Sequence, residues 1–108
     1  MNVDVVKGIM FIRLEGDLTT NTFQMFNNEL DYLLYKQGMH YFVFNFYEID
    51  TMDPIILSSL QNKLIEIFLC CGKVVMCGLS ALWKKIIGTQ DRLYFVNDEM
   101  EALKYFSI

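Results

Sequence analysis

Asp53-Pro54 constrains the middle of this chain more tightly than any other pair of residues. Before it, the run at residues 40–46, His-Tyr-Phe-Val-Phe-Asn-Phe, has the apolar density of a buried strand. After it, residues 54–71 carry apolar side chains at helical spacing. An aspartate at the cap accepts hydrogen bonds from N–H groups that a helix start leaves unpaired. A proline in the first helical position gives up no N–H that the helix needs. The pair therefore predicts a sharp strand-to-helix corner, with the positive end of the helix dipole pointing out of it. Such a corner binds a phosphate, becomes phosphorylated or meets a partner.

The flanking segments alternate around that corner. Residues 3–7 suggest a short strand, Lys7-Gly8 a turn, and residues 9–15 a second strand closed by Gly16. Met10, Ile12 and Leu14 alternate there with Phe11, Arg13 and Glu15, a pattern with one face more polar than the other. Asn21-Thr22-Phe23-Gln24 has capping-box spacing, and Phe23, Phe26, Leu30, Leu33 and Leu34 stripe a helix that ends near Gly38. Gly72 stops the central helix, residues 73–77 form a short apolar strand, and Ser80 caps a brief helix through Ile87, with Gly88 beyond. Residues 93–96 suggest a last strand, and Asn97-Asp98-Glu99 opens a terminal helix to about Phe106, with asparagine as its cap. The order is β-β-α-β-α-β-α-β-α. Short joints between alternating elements predict one α/β domain over residues 1–108. It should hold a single mixed, mostly parallel sheet of about five strands, with about four helices.

The chain is 54% hydrophobic and 15% aromatic, above the usual soluble values. Charges interrupt the apolar residues every few positions, so no stretch approaches the ~20 residues of a membrane span. The excess implies either a surface covered in a homodimer or complex, or simply an aromatic-rich core. A net charge of −4, with nine scattered basic residues, excludes the clustered basic footprint of nucleic-acid binding. Three cysteines, with Cys70 and Cys71 adjacent and no Cys-x-x-Cys, predict buried free thiols in a reducing cytoplasm. Met1-Asn2-Val3-Asp4 has no signal-peptide pattern, which also points to the cytoplasm.

Little in the chain suggests catalysis. The one histidine, His40, sits at a strand end, and no cysteine or histidine spacing suits a metal. The six glycines, at 8, 16, 38, 72, 78 and 88, fall at element ends and form no phosphate-cradling loop. Asp98 and Glu99 are accounted for by a helix start, while Asp50 and Asp53 share a loop in which Asp53 is already a cap. No catalytic residue, metal site or cofactor is expected.

The central helix is more informative. Leu57, Leu60, Leu64, Ile67, Phe68 and Cys71 form one stripe that must face the sheet. A second row, Ile55, Ser58, Asn62, Ile65 and Leu69, is rotated by roughly a third of a turn or more and carries no charge. Such a row is either a partner-binding seam or a wide face covered by a neighbouring helix.

The element order and several segments resemble the STAS domain family, and within it the small anti-sigma-factor antagonists of bacteria. The segments are the run at residues 11–18 (Phe-Ile-Arg-Leu-Glu-Gly-Asp-Leu), the strand ending Asn45-Phe46, the corner Ile49-Asp50-Thr51-Met52-Asp53, and the run from Gly72 to Ser80. In that family the corner typically reads Asp-Ser-Ser-Gly or Asp-Ser-Thr-Gly. Its second hydroxyl residue is phosphorylated by an anti-sigma factor that is also a kinase, and the unphosphorylated form binds that kinase. By position, Asp53 matches the aspartate, Pro54 the first hydroxyl residue, Ile55 the phosphoacceptor and Ile56 the glycine. Asp17 matches an acidic residue after a glycine, and Thr19 stands where an aspartate is common. Isoleucine has no oxygen to phosphorylate, so the usual switch is not expected at residue 55. Thr51, Ser58 and Ser59 are the nearby hydroxyls that modification would reach instead.

The resemblance implies a non-enzymatic module that binds a kinase-like anti-sigma factor in transcription or sporulation control. Its contacts are expected at Asp17, Thr19, Thr20, Asp53, Pro54, Ile55, Ser58, Asn62, Ile65 and Leu69. Alternatives are an accessory STAS subunit of a membrane transport ATPase and a small-ligand sensor.

Overall fold

The computed structural model describes residues 1–36, 38–71, 73–87 and 93–106. Its elements are β1 (Asn2–Val6), β2 (Ile9–Leu18), α1 (Thr20–Tyr35), β3 (Tyr41–Met52), α2 (Pro54–Cys71), β4 (Lys73–Cys77), α3 (Ala81–Ile87), β5 (Tyr94–Phe95) and α4 (Glu99–Phe106). The order matches the sequence expectation. All five strands form one sheet in chain order, with β1 antiparallel to β2 and every later pair parallel.

β3 is the spine of the sheet. Phe42, Phe44 and Phe46 are at most 1% exposed, and each such buried side chain stabilises the fold by about 1.5–3 kcal/mol. Side chains alternate across a strand, so the sheet has two apolar faces. On one, Met10, Ile12, Leu14, Phe42, Phe44 and Met76 meet Leu30 of α1, Leu60 and Leu64 of α2 and Ile87 of α3. On the other, Ile9, Phe11, Val43 and Val75 gather around Ala102 of α4. Three helices cover one face and α4 covers the other.

This arrangement corrects the reading of Phe11, Arg13 and Glu15 as a polar face. Phe11 is 4% exposed beneath α4. Arg13 reaches over to the first turn of α4, where its Nε and Nη2 each donate to Glu99 at 2.7 Å. Asn45 Nδ2 donates to the same carboxylate at 2.7 Å, and Arg13 also pairs with Asp4 on β1. Glu99 is thus more than a favourable charge at a helix start: it clasps α4 to β2 and β3, and Arg13 extends the network to β1. The cap belongs to Asp98 rather than Asn97, because Asp98 Oδ1 accepts from the Glu101 N–H at 2.8 Å.

The hydrogen bonds from Arg13 hold the Glu99 carboxyl below its usual pKa, against an opposing push from burial. A depressed folded-state value makes the stabilisation complete above the ordinary glutamate pKa of about 4.3, and it fades as pH falls through the folded value. Glu99→Gln should therefore cost about 1–2 kcal/mol near pH 7, and the difference from the unaltered protein should shrink in acid. Urea unfolding at pH 7 and pH 3 checks this. An equal deficit at both pH values would contradict the clasp.

Several element ends differ from expectation. β2 runs on to Leu18 and β3 to Met52, past Gly16 and Phe46. Their pairing shifts register between Arg13 and Glu15 and again between Gly16 and Asp17, which breaks the two-residue alternation. Gly16 therefore lies inside a strand, at φ +78°. α1 is capped by Thr19, not Asn21: Thr19 and Thr22 form a reciprocal box in which the Thr19 N–H donates to Thr22 Oγ1 at 2.7 Å. The helix stops at Tyr35, before Gly38. β5 is only Tyr94–Phe95. Cys77 is buried as expected, but Cys70 is exposed. Burial and the nearby Glu99 and Asp98 push the Cys77 thiol up to about 12, so it stays neutral. Gly72 and Gly88 lie outside the described residues, as does the side chain of Cys71.

Candidate functional site

Parallel pairing brings the ends of β2 and β3 together, with Asp17 opposite Thr51 and Leu18 opposite Met52. Two helices begin there, α1 after Thr19 and α2 after Asp53. Asp53 Oδ1 accepts from the Ile55 N–H at 3.1 Å, the cap that the sequence predicts. The Asp53 N–H donates to the Leu18 carbonyl at 3.1 Å, which ties one helix start to the other strand. Asp17 joins the corner through its side chain, whose Oδ1 accepts from Thr51 Oγ1 at 2.6 Å. Its carbonyl accepts from Thr22 Oγ1 at 2.9 Å.

The expected residues Asp17, Thr19, Thr20, Asp53, Pro54 and Ile55 are thus one contiguous patch. A bound phosphate at the start of α2 would compete with the Asp53 carboxylate that already accepts there. Thr51 is exposed, but its hydroxyl is held by Asp17, and a phosphate added there would lie against that carboxylate.

The remaining expected contacts run away from the corner along α2. Ile55 is 74% exposed and Leu69 63%, and Ser58, Ser59 and Asn62 are exposed as well. From Ile55 to Leu69 the row spans roughly 21 Å. At 100° per residue it lies well over a third of a turn from the sheet-facing stripe, in keeping with the sequence argument. Ile65 departs from the row: it is half-buried and packs on the main core. Ile56, matched to the family glycine, is a core residue at 3% exposure.

α1 and α3 flank α2 without covering the row. On the α3 side, Gln61 Nε2 donates to the Ile87 carbonyl at 3.0 Å. On the α1 side lies a charged network that sequence reasoning missed. Lys63, only 7% exposed, pairs with Asp31 on α1 and with Glu66 at 2.9 Å. Burial opposes its charge, but the hydrogen bonds to Asp31 and Glu66 outweigh that and raise its pKa. The Tyr35 hydroxyl contacts Cys70 Sγ at 3.8 Å and donates to Glu66 at 3.4 Å, which pushes it up to about 12. Lys63 and Glu66 at i,i+3 were the available signal, but nothing local in the sequence points to Asp31.

Among the described residues, no group of three histidine, cysteine, aspartate or glutamate side chains could hold a metal ion. Also among them, no helix is long and apolar enough to cross a membrane.

A mixed five-stranded sheet, a capped strand-to-helix corner and helices on both faces are the architecture of a STAS domain. The profile of that family, described as STAS domain, matches residues 1–88, and the chain belongs to the family. Solved structures share the fold. The anti-sigma factor antagonist SpoIIAA in its unphosphorylated form is 16% identical with a TM-score of 0.79, over 96% of this chain and 94% of that one. The Bacillus cell fate determinant SpoIIAA in its phosphorylated form is 15% identical with a TM-score of 0.76, over 98% of both chains. The Thermotoga maritima protein tm1081 is 11% identical with a TM-score of 0.81, over 96% of this chain and 92% of that one. No curated protein matches the sequence.

Proposed function

We propose that this STAS domain is a non-catalytic docking module that binds an anti-sigma factor through the Asp53 corner and the exposed row of α2. In this reading it regulates sigma-dependent transcription, sporulation included, and works in the cytoplasm. The observation that carries it is Ile55, an apolar side chain 74% exposed one residue into α2, beside the Asp17–Thr51–Asp53 lattice. A folded chain gains nothing from an isoleucine at that position, whereas a partner that buries it gains most of its transfer free energy, about 1.5–3 kcal/mol. Leu69 extends the same surface. Support also comes from the fold shared with SpoIIAA, which is named an anti-sigma factor antagonist.

The partner is a kinase-type anti-sigma factor, and the complex forms without phosphorylation at residue 55. Incubating the domain with the cognate kinase and Mg-ATP, then gel filtration and peptide mass spectrometry, tests both parts. A stable complex and an unmodified peptide over residues 50–60 are expected. Phosphate on Thr51, Ser58 or Ser59 would move the switch to that hydroxyl, and failure to form any complex would overturn the reading. Recovery of a transport ATPase by pull-down would reassign the partner.

A further inference from the structure

The end of the sheet opposite the corner holds a second concave site. A cavity of about 230 Å³ opens there, lined by Lys7, Ile9, Tyr41, Lys73, Tyr105 and Phe106. Its rings are already arranged around it. Tyr41 and Phe106 have centroids 5.5 Å apart, and Tyr105 meets Phe106 at 5.3 Å. Lys73 Nζ lies 5.8 Å from the Tyr105 ring centroid. Ile9 forms an apolar floor at 6% exposure, while Tyr41 remains 44% exposed at the mouth.

The charge of this cavity is unlike that of the chain. Among the described residues, its lining has two lysines and no carboxylate, although the protein carries a net charge of −4. Among the described residues, neither Lys7 nor Lys73 has a carboxylate within ion-pair distance. Lys7 also sits at φ 53°, the first central position of the β1–β2 hairpin, where asparagine or glycine is accommodated with less strain. A lysine held there places an ammonium group at the cavity.

We propose that this pocket binds a small aromatic anion, a single planar ring bearing one carboxylate or phosphate. The ring would lie against Tyr41 and Phe106 above Ile9, and its anionic group would face Lys7 and Lys73. Offset and edge-on ring contacts supply shape preference, and the paired lysines supply charge preference. The volume falls below the roughly 300–1,000 Å³ of drug-sized sites, which suits one ring rather than a nucleotide. The site lies roughly 30 Å along β2 from the corner, so it is separate from the partner-binding surface and does not depend on that reading.

Phenyl phosphate titrated into the uniformly ¹⁵N-labelled chain tests the proposal, with phenol and inorganic phosphate as parallel arms. Saturable amide shifts are expected at Lys7, Gly8, Ile9, Tyr41, Lys73 and Tyr105, with no saturable response to either control compound. Lys73→Gln should weaken binding by about fivefold, and the Lys7→Gln, Lys73→Gln double variant should weaken it further, with the spectrum of the corner unchanged. The proposal fails if phenyl phosphate gives no saturable shifts, if the shifts gather at residues 17–20 and 51–55, or if phenol does equally well. It also fails if the double variant binds as the unaltered chain does.

Discussion

Ile55→Asp and Leu69→Asp should each weaken capture of a kinase-type anti-sigma factor by about a hundredfold while leaving the domain folded. Both side chains are largely in water in the free chain, at 74% and 63% exposure, so the folded state loses little when they change. Surface substitutions of this kind usually stay within about 0.5 kcal/mol. The complex has no such latitude, because docking would have to strip water from a carboxylate in an apolar seam. Titration calorimetry against the partner, with a thermal melt of each variant, separates binding from folding. Met100→Asp is the control: Met100 is 69% exposed but lies on α4, on the other face of the sheet, and its replacement should leave affinity unchanged. Unchanged affinity in both seam variants would remove the seam. Ile65→Asp is a poorer probe, because its half-buried side chain packs on the core.

Gly78→Ala should lower stability by about 3 kcal/mol, a fall of about 12 °C or more in Tm for a domain of this size. Two costs combine. Gly78 lies at φ +82°, where a Cβ costs roughly 1–2 kcal/mol. That Cβ would also come 2.6 Å from the backbone nitrogen of Tyr47 and 2.8 Å from its ring. The backbone nitrogen belongs to β3 and cannot swing aside as a flexible side chain could. Gly16→Ala is the matched comparison. It shares a φ of +78° but meets nothing within 4 Å, so it should lose only the conformational part, roughly 1–2 kcal/mol. Calorimetry or circular dichroism melts would show the gap. Equal losses in the two variants would mean that the contact with Tyr47 contributes nothing.

The parts of this fold that were legible in sequence share a cause. α2, β4 and α3 begin and end as predicted because capping residues coincide there with changes of apolar period, at Asp53-Pro54 and at Ser80. β2 and β3 were cut short because their register shifts leave Tyr47 and Glu48 both exposed, which ends the alternation before the strand itself ends. Thr19 was missed as a cap because its partner is Thr22, not the glutamate or glutamine of the usual box. The clasp between Arg13 and Glu99 joins residues far apart in the chain and has no local signature. At the corner, Asp53 could be placed from its helix, but Asp17 could be placed there only by resemblance. The lone charge-free row on α2 was visible from spacing, while the inward turn of Ile65 depends on how α2 sits on the core.

Among the described residues α4 stands alone on its side of the sheet, and this has a consequence for biosynthesis. A ribosome delivers Ile9, Phe11, Val43 and Val75 well before it delivers Ala102, the residue around which they close. Until then the nascent chain displays an oily, ready-made β surface to water, the kind of intermediate that chaperones hold and that aggregates when they do not. Translation must pass Glu99 before that surface can be sealed and its clasp with Arg13 made.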